Sequence, residues 1–118
     1  MTSTTLQPTR RAYRRLVPRR QDIELARLAK ALGHPARIRI LRLLALRTRC
    51  FYGSLAEELP LATATVSQHV RVLRDAGLVQ GAIDGPRTCY CINRQVLARA
   101  TTLLQDLCAG RPPEDEAR

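Results

Sequence analysis

Between Ser54 and Val79 the chain reads SLAEELPLATATVSQHVRVLRDAGLV, and this stretch limits the fold more than any other. Pro60 separates two helical runs, because it cannot continue the first. In the second run Val66, Val70 and Leu73 recur at steps of four and three, which places them on one helical stripe. Ala64, Ser67, Gln68 and Arg71 fall on the opposite face. Gly77 then stops the helix and Leu78-Val79 opens a strand. The pattern predicts a helix, a tight turn, a second helix and a β-wing. The outward face of the second helix carries small, hydrogen-bonding and cationic groups, which suit base edges in a DNA major groove.

The charge agrees with that reading. The 118 residues, enough for one domain, carry a formal net charge of +10. The first twenty residues hold six arginines (10, 11, 14, 15, 19 and 20) and no acid. A basic fold with a basic arm points to a polyanion. Duplex DNA fits better than RNA, since three Tyr and one Phe offer few stacking platforms. No apolar run reaches the roughly 18 residues of a membrane span, and the amino-terminal arginines stand among Thr, Ser and Pro without a hydrophobic signal core. A cytoplasmic protein with no membrane partner is expected.

Three regions follow: a disordered basic arm over 1–20, a folded domain over 21–110 and a frayed tail over 111–118. A first helix begins after Gln21, with Asp22 as its cap or first-turn acid, and carries Leu25, Leu28, Ala29 and Leu32 on one side. Gly33 ends it. His34-Pro35 starts a second helix, with proline at the first helical position where its missing N–H costs nothing. That helix runs to about Leu46 and buries Ile38, Leu41 and Leu44 or Ala45, turning Arg37, Arg39 and Arg42 outward. Arg49 to Tyr52 forms a short strand, and Ser54 caps a helix to Leu59. Val79–Ile83 and Thr88–Ile92 flank the turn signal Asp84-Gly85-Pro86 and make a hairpin. Asn93 caps a last helix striped by Val96, Leu97, Ala100, Leu103, Leu104 and Leu107. The expected architecture is mainly α with a small β-hairpin, in the order α-α-β-α-α-β-β-α. The first and last helices show more apolar surface than so small a core needs, and a homodimer through these two helices is expected.

In its order of elements the chain resembles the ArsR/SmtB family of winged helix-turn-helix repressors. ALGHPARIRILRLL at 31–44, LATATVSQHVRVLRDAGLV at 61–79 and GPRTCYCIN at 85–93 carry the resemblance. It covers residues 22–108 and implies a dimer that binds an inverted-repeat operator, blocks transcription and lets go when an inducer, often a metal or metalloid ion, binds. The chain departs from the family pattern in three places. Ala62 stands where the recognition helix often has a hydroxyl cap, so Thr63 is expected to cap one residue later; without it the helix start loses about 1 kcal/mol. Phe51 and Gly53 stand where many members have two cysteines. The last helix has no His, so the family's zinc ligands there are missing.

With the recognition helix in a major groove, Thr63, Ala64, Ser67, Gln68 and Arg71 are the expected DNA-binding residues. Gln68 suits bidentate pairing with adenine, and Arg71 suits guanine or a phosphate. Ser67 and Thr63 suit phosphate or single hydrogen bonds. Thr65 and His69 lie toward the flanks, where His69 is read as structural, bonded within the domain. Arg87, beside the wing tip, is placed to enter a minor groove or hold phosphate, or simply to be solvated.

Cys89 and Cys91 are two apart on a strand, so both thiols project from one face, which is read as exposed, while Tyr90 and Ile92 turn toward the core. Two thiols so placed can grip a soft ion such as As(III), Cd(II), Hg(II) or Cu(I). No cofactor is obligatory, and the ion is an inducer. Cys50 is the first candidate for a third ligand, but it shares a strand face with Tyr52, read as buried, so a bulge or a ligand from the arm would be needed. Cys108 falls on the apolar stripe of the last helix and reads as a buried small hydrophobe, or in a dimer as a thiol facing the other subunit. Redox or persulfide sensing, and inert cysteines in a DNA-binding protein, remain open beside the ion. An enzyme is not expected: C-x-C lacks the helix-start setting of C-x-x-C thiols, and no phosphate loop or H-E-x-x-H pattern is present.

Overall fold

The computed structural model describes residues 17–46, 51–52, 59–84 and 87–113. Helix α1 spans Arg20–Leu32, α2 Pro35–Ala45 and α3 Thr63–Asp75. Strand β1 is Phe51–Tyr52, β2 Val79–Asp84 and β3 Arg87–Ile92, and α4 closes the fold over Arg94–Cys108. The Ser54–Leu59 helix expected from sequence lies outside the described residues apart from Leu59, which is buried at 7% exposure.

Local signals set most boundaries. Helix α1 begins one residue inside the stretch assigned to the arm, and Asp22 accepts the main-chain N–H of Arg19 at 2.8 Å, which satisfies one free donor of the first turn. Pro35 opens α2, capped by His34, whose Nδ1 accepts from the Ala36 amide at 3.1 Å. Helix α3 ends at Gly77 with φ +84. There Leu78 N–H donates to the Leu73 carbonyl and Gly77 N–H to that of Arg74, both at 2.9 Å. This double closure needs a left-handed residue, which glycine adopts without a Cβ penalty. It also brings together Leu73 and Leu78, each fully buried.

The hairpin β2–β3 pairs antiparallel from Val79↔Ile92 to Asp84↔Arg87. Strand β1 adds to the other edge of β3 through Phe51↔Tyr90 and Tyr52↔Cys89, giving the order β1-β3-β2. Asn93 closes the base of the hairpin, its main-chain N–H donating to the Leu78 carbonyl at 2.8 Å. Its side chain then caps α4 by accepting from the Val96 amide. Gly81 lets Tyr90 lie across β2: a Cβ at residue 81 would stand 2.9 Å from Tyr90 Cδ1.

One core holds the helices and wing together, with Ile40, Leu44, Leu73, Leu78 and Val79 as its most enclosed large side chains. Tyr90 and Ile92 pack against it, as the strand alternation predicted. Two phases differ from the expectation. Ala31 rather than Ala29 is buried on α1, and Ile40 rather than Ile38 is fully buried on α2, where Ala45 is exposed. Arg37 is half-buried rather than outward and donates to the Lys30 carbonyl at 3.3 Å. No described helix is long and apolar enough to cross a membrane.

Candidate nucleic-acid interface and cysteine pair

Helix α3 is anchored by its apolar stripe. Val66 and Val70 are 4% exposed and Leu73 is fully buried, so the helix cannot rotate without opening the core. That anchoring fixes the opposite face outward: Thr63, Ala64, Ser67, Gln68 and Arg71 are all exposed. Arg74 extends the row at the end of the helix and is exposed too. The five positions expected to meet DNA therefore form one continuous solvent-facing surface. Thr63 does not cap the helix; Ala62 holds the cap position with no side-chain hydrogen bond. The reason is geometric, since Thr63 already has helical backbone and its hydroxyl is one residue too far along.

Thr65 and His69 are half-buried at the flanks. His69 lies against His34, with ring centroids 4.4 Å apart and planes inclined by 50°. Burial lowers the pKa of His69, and the neighbouring His34 and Arg37 lower it further. The imidazole of His69 is thus harder to protonate than a free one. Proline after His34 was the available signal that residue 34 caps a helix, but its meeting with residue 69 is tertiary. Arg87 pairs with Asp84 at the wing tip; its side chain lies outside the described residues.

The cysteine face of the wing differs from expectation in three respects. Cys89 and Cys91 are both half-buried, not on a fully exposed face. Cys89 is a free thiol, whereas Cys91 is disulfide-bonded, so the two are not free together. In the register of the sheet, residue 52 pairs with Cys89 rather than with Tyr90. Cys50, the first candidate for a third ligand, lies outside the described residues. Cys108 is exposed, not buried. It ends the part of α4 where Leu104 and Leu107 are also exposed, at 52% and 67%. Among the described residues no group of three or more His, Cys, Asp or Glu is gathered to hold a metal ion.

The family model of a helix-turn-helix domain matches residues 32–81. The HTH-type transcriptional regulator Rv0081 of Mycobacterium tuberculosis, itself described as uncharacterized, is 39% identical over 100 residues, covering 72% of this chain and 88% of that protein. The chain belongs to the ArsR/SmtB-type winged helix-turn-helix regulators. This ArsR-family protein is similar in fold to an ArsR-like transcriptional regulator from Rhodococcus sp. RHA1, with a TM-score of 0.64 and 26% identity over 75% of this chain and 82% of that one. It is also similar to the cadmium metal-sensor CmtR of Mycobacterium tuberculosis, with a TM-score of 0.50 and 37% identity over 70% and 86% of the two chains. The regulator is a transcription factor of a family that binds DNA, not an enzyme.

Proposed function

We propose that this regulator is a homodimeric repressor that binds an inverted-repeat operator in double-stranded DNA and lets go when a soft metal or metalloid ion binds its wing cysteines. The observation that carries the DNA half is the outward row Thr63, Ala64, Ser67, Gln68 and Arg71 on a helix locked by Val66, Val70 and Leu73. Gln68 and Arg71 read base edges, Thr63 and Ser67 hold phosphate or single bonds, and Ala64 permits close approach. Arg87 adds a contact from the wing. A homodimer supplies two such helices, about one turn of duplex apart, for two half-sites.

The sensing half rests on Cys89 and Cys91, two residues apart on one face of β3, and on similarity to a protein described as a cadmium sensor. In the reduced protein both can offer thiolates to an As(III)-, Cd(II)- or Hg(II)-like ion. Cys50 and Cys108 are the further candidates for ligands. Release requires that the ion prefer the conformation that does not bind DNA; ligation on β3 would change the angle between wing and recognition helix. A second reading, sensing by thiol oxidation or persulfidation, is favoured by the disulfide at Cys91.

The test is fluorescence anisotropy on an inverted-repeat duplex selected from a random pool, with reduced protein and As(III), Cd(II), Hg(II), Zn(II) and peroxide added in turn. Release by a thiophilic ion is expected, and Cys89→Ser and Cys91→Ser proteins should bind the duplex yet stay bound with that ion. Normal release by either variant removes the wing from sensing. Equal affinity for selected and random duplex removes the repressor assignment.

A further inference from the structure

We infer that the cleft between α1, the end of α3 and the start of α4 is a binding site for a small carboxylate with an apolar body, of the medium-chain fatty-acid type. The site involves none of the cysteines and does not depend on their role.

The cleft encloses about 400 Å³, near the lower end of the range of about 300–1,000 Å³ that small-molecule pockets occupy. Three elements build it. Arg20, Glu24 and Arg27 follow at steps of four and three on α1, which puts them on one helical face. Val96 and Arg99 stand three apart on α4. Ala76, the C-cap of the recognition helix, supplies the third side. Burial then sorts the lining. Leu28 is buried, and Ala76 and Val96 are half-buried against the core, so the inner wall is apolar. Arg20 and Arg27 are exposed, so the mouth is cationic.

The charges of the cleft do not balance. Three guanidiniums line it against one carboxylate, that of Glu24. Arg99 donates to both oxygens of that carboxylate, at 2.8 and 3.1 Å. Arg27 makes no ion pair or hydrogen bond among the described residues. It therefore offers a planar fork of N–H donors beside an apolar wall. A carboxylate matches that fork in shape and charge, and an apolar body behind it takes the inner wall out of water. A phosphate backbone supplies the charge alone and leaves Leu28, Ala76 and Val96 wet, so duplex DNA is the poorer occupant. A second copy of the chain is the competing occupant, because Ile23 lines the cleft and also belongs to the apolar surface expected to form the dimer. The surplus of guanidiniums favours the anion.

The experiment is isothermal titration calorimetry of the full chain with octanoate and decanoate. One molecule bound per chain is expected, with decanoate about tenfold tighter than octanoate, since two further buried CH₂ groups add about that factor. Decanol, with the same body and no charge, should bind at least about tenfold more weakly than decanoate. Arg27→Glu, at an exposed position, should keep the helix content of the native protein by circular dichroism and weaken decanoate at least about tenfold. Equal binding of decanoate by the native protein and Arg27→Glu overturns the site, as does equal binding of decanol and decanoate. Uptake of several molecules per chain, or displacement of decanoate by equimolar inorganic phosphate, overturns it too. Binding by Leu107→Glu and not by the native protein would show a second copy filling the cleft and overturn the proposal. No binding by either protein does the same.

Discussion

The imidazoles of His34 and His69 meet at a centroid distance of 4.4 Å, joining the turn before α2 to the recognition helix. His34 Nδ1 accepts the Ala36 amide, so the His34 proton resides on Nε2. The contact lets one residue both start α2 and brace α3 from behind, leaving the outward face of α3 untouched.

The lowered pKa of His69 makes this contact pH-sensitive. The folded protein takes up a proton there less readily than the unfolded chain, whose imidazole titrates near 6.5. Its contribution is complete above that value and falls as pH drops through it toward the lower folded value. Urea unfolding at pH 7.5 and 5.5 should show a larger loss for the native protein than for His69→Gln. Equal losses would mean that His69 is not held uncharged.

Glu24 and Arg99 join α1 to α4 by two bonds, Nε to Oε1 at 2.8 Å and Nη2 to Oε2 at 3.1 Å. The hydrogen bond from Arg99 is the main reason the Glu24 carboxyl sits below its usual pKa. Its contribution is therefore present at neutral pH and lost as acid protonates the folded carboxylate. Both side chains are more than a third exposed, at 39% and 38%, so the pair is worth about 0.5–1 kcal/mol. A double-mutant cycle with Glu24→Gln and Arg99→Ala should show coupling of that size; additive effects would contradict it.

Gly81 is needed for space. A valine there would drive its Cβ to 2.9 Å from Tyr90 Cδ1 and force the ring off its packing on the core. Gly81→Val should cost about 1–3 kcal/mol in urea unfolding. No loss of stability would show that Tyr90 moves aside freely.

The exposed apolar residues Ile23, Leu104 and Leu107 (53%, 52% and 67% exposed) lie on the two helices expected to form the dimer. Leu107→Glu should leave helix content unchanged by circular dichroism, halve the mass in sedimentation equilibrium and weaken operator binding at least tenfold. A variant that stays dimeric would place the interface elsewhere.

Much of this was legible because its causes are local. Pro35, Asn93 and Gly77 declare a helix start, a helix cap and a helix stop through backbone chemistry that needs no partner. Strand alternation likewise put Tyr90 and Ile92 against the core. What the sequence left open depends on partners. Ile38 and Ile40 both fit an apolar stripe on α2, and only docking chose Ile40. Cys108 reads as core by periodicity, yet at the end of α4 it is exposed. Glu24 meeting Arg99 and His34 meeting His69 are tertiary and leave no mark in spacing.

The most direct measurement is the affinity of native and Gln68→Ala proteins for a selected inverted-repeat duplex and for random duplex, at one fixed salt concentration. The variant should lose about 1–3 kcal/mol on the selected site and almost nothing on random DNA. Equal losses on both, or none on either, would contradict a recognition helix that reads bases through its outward face.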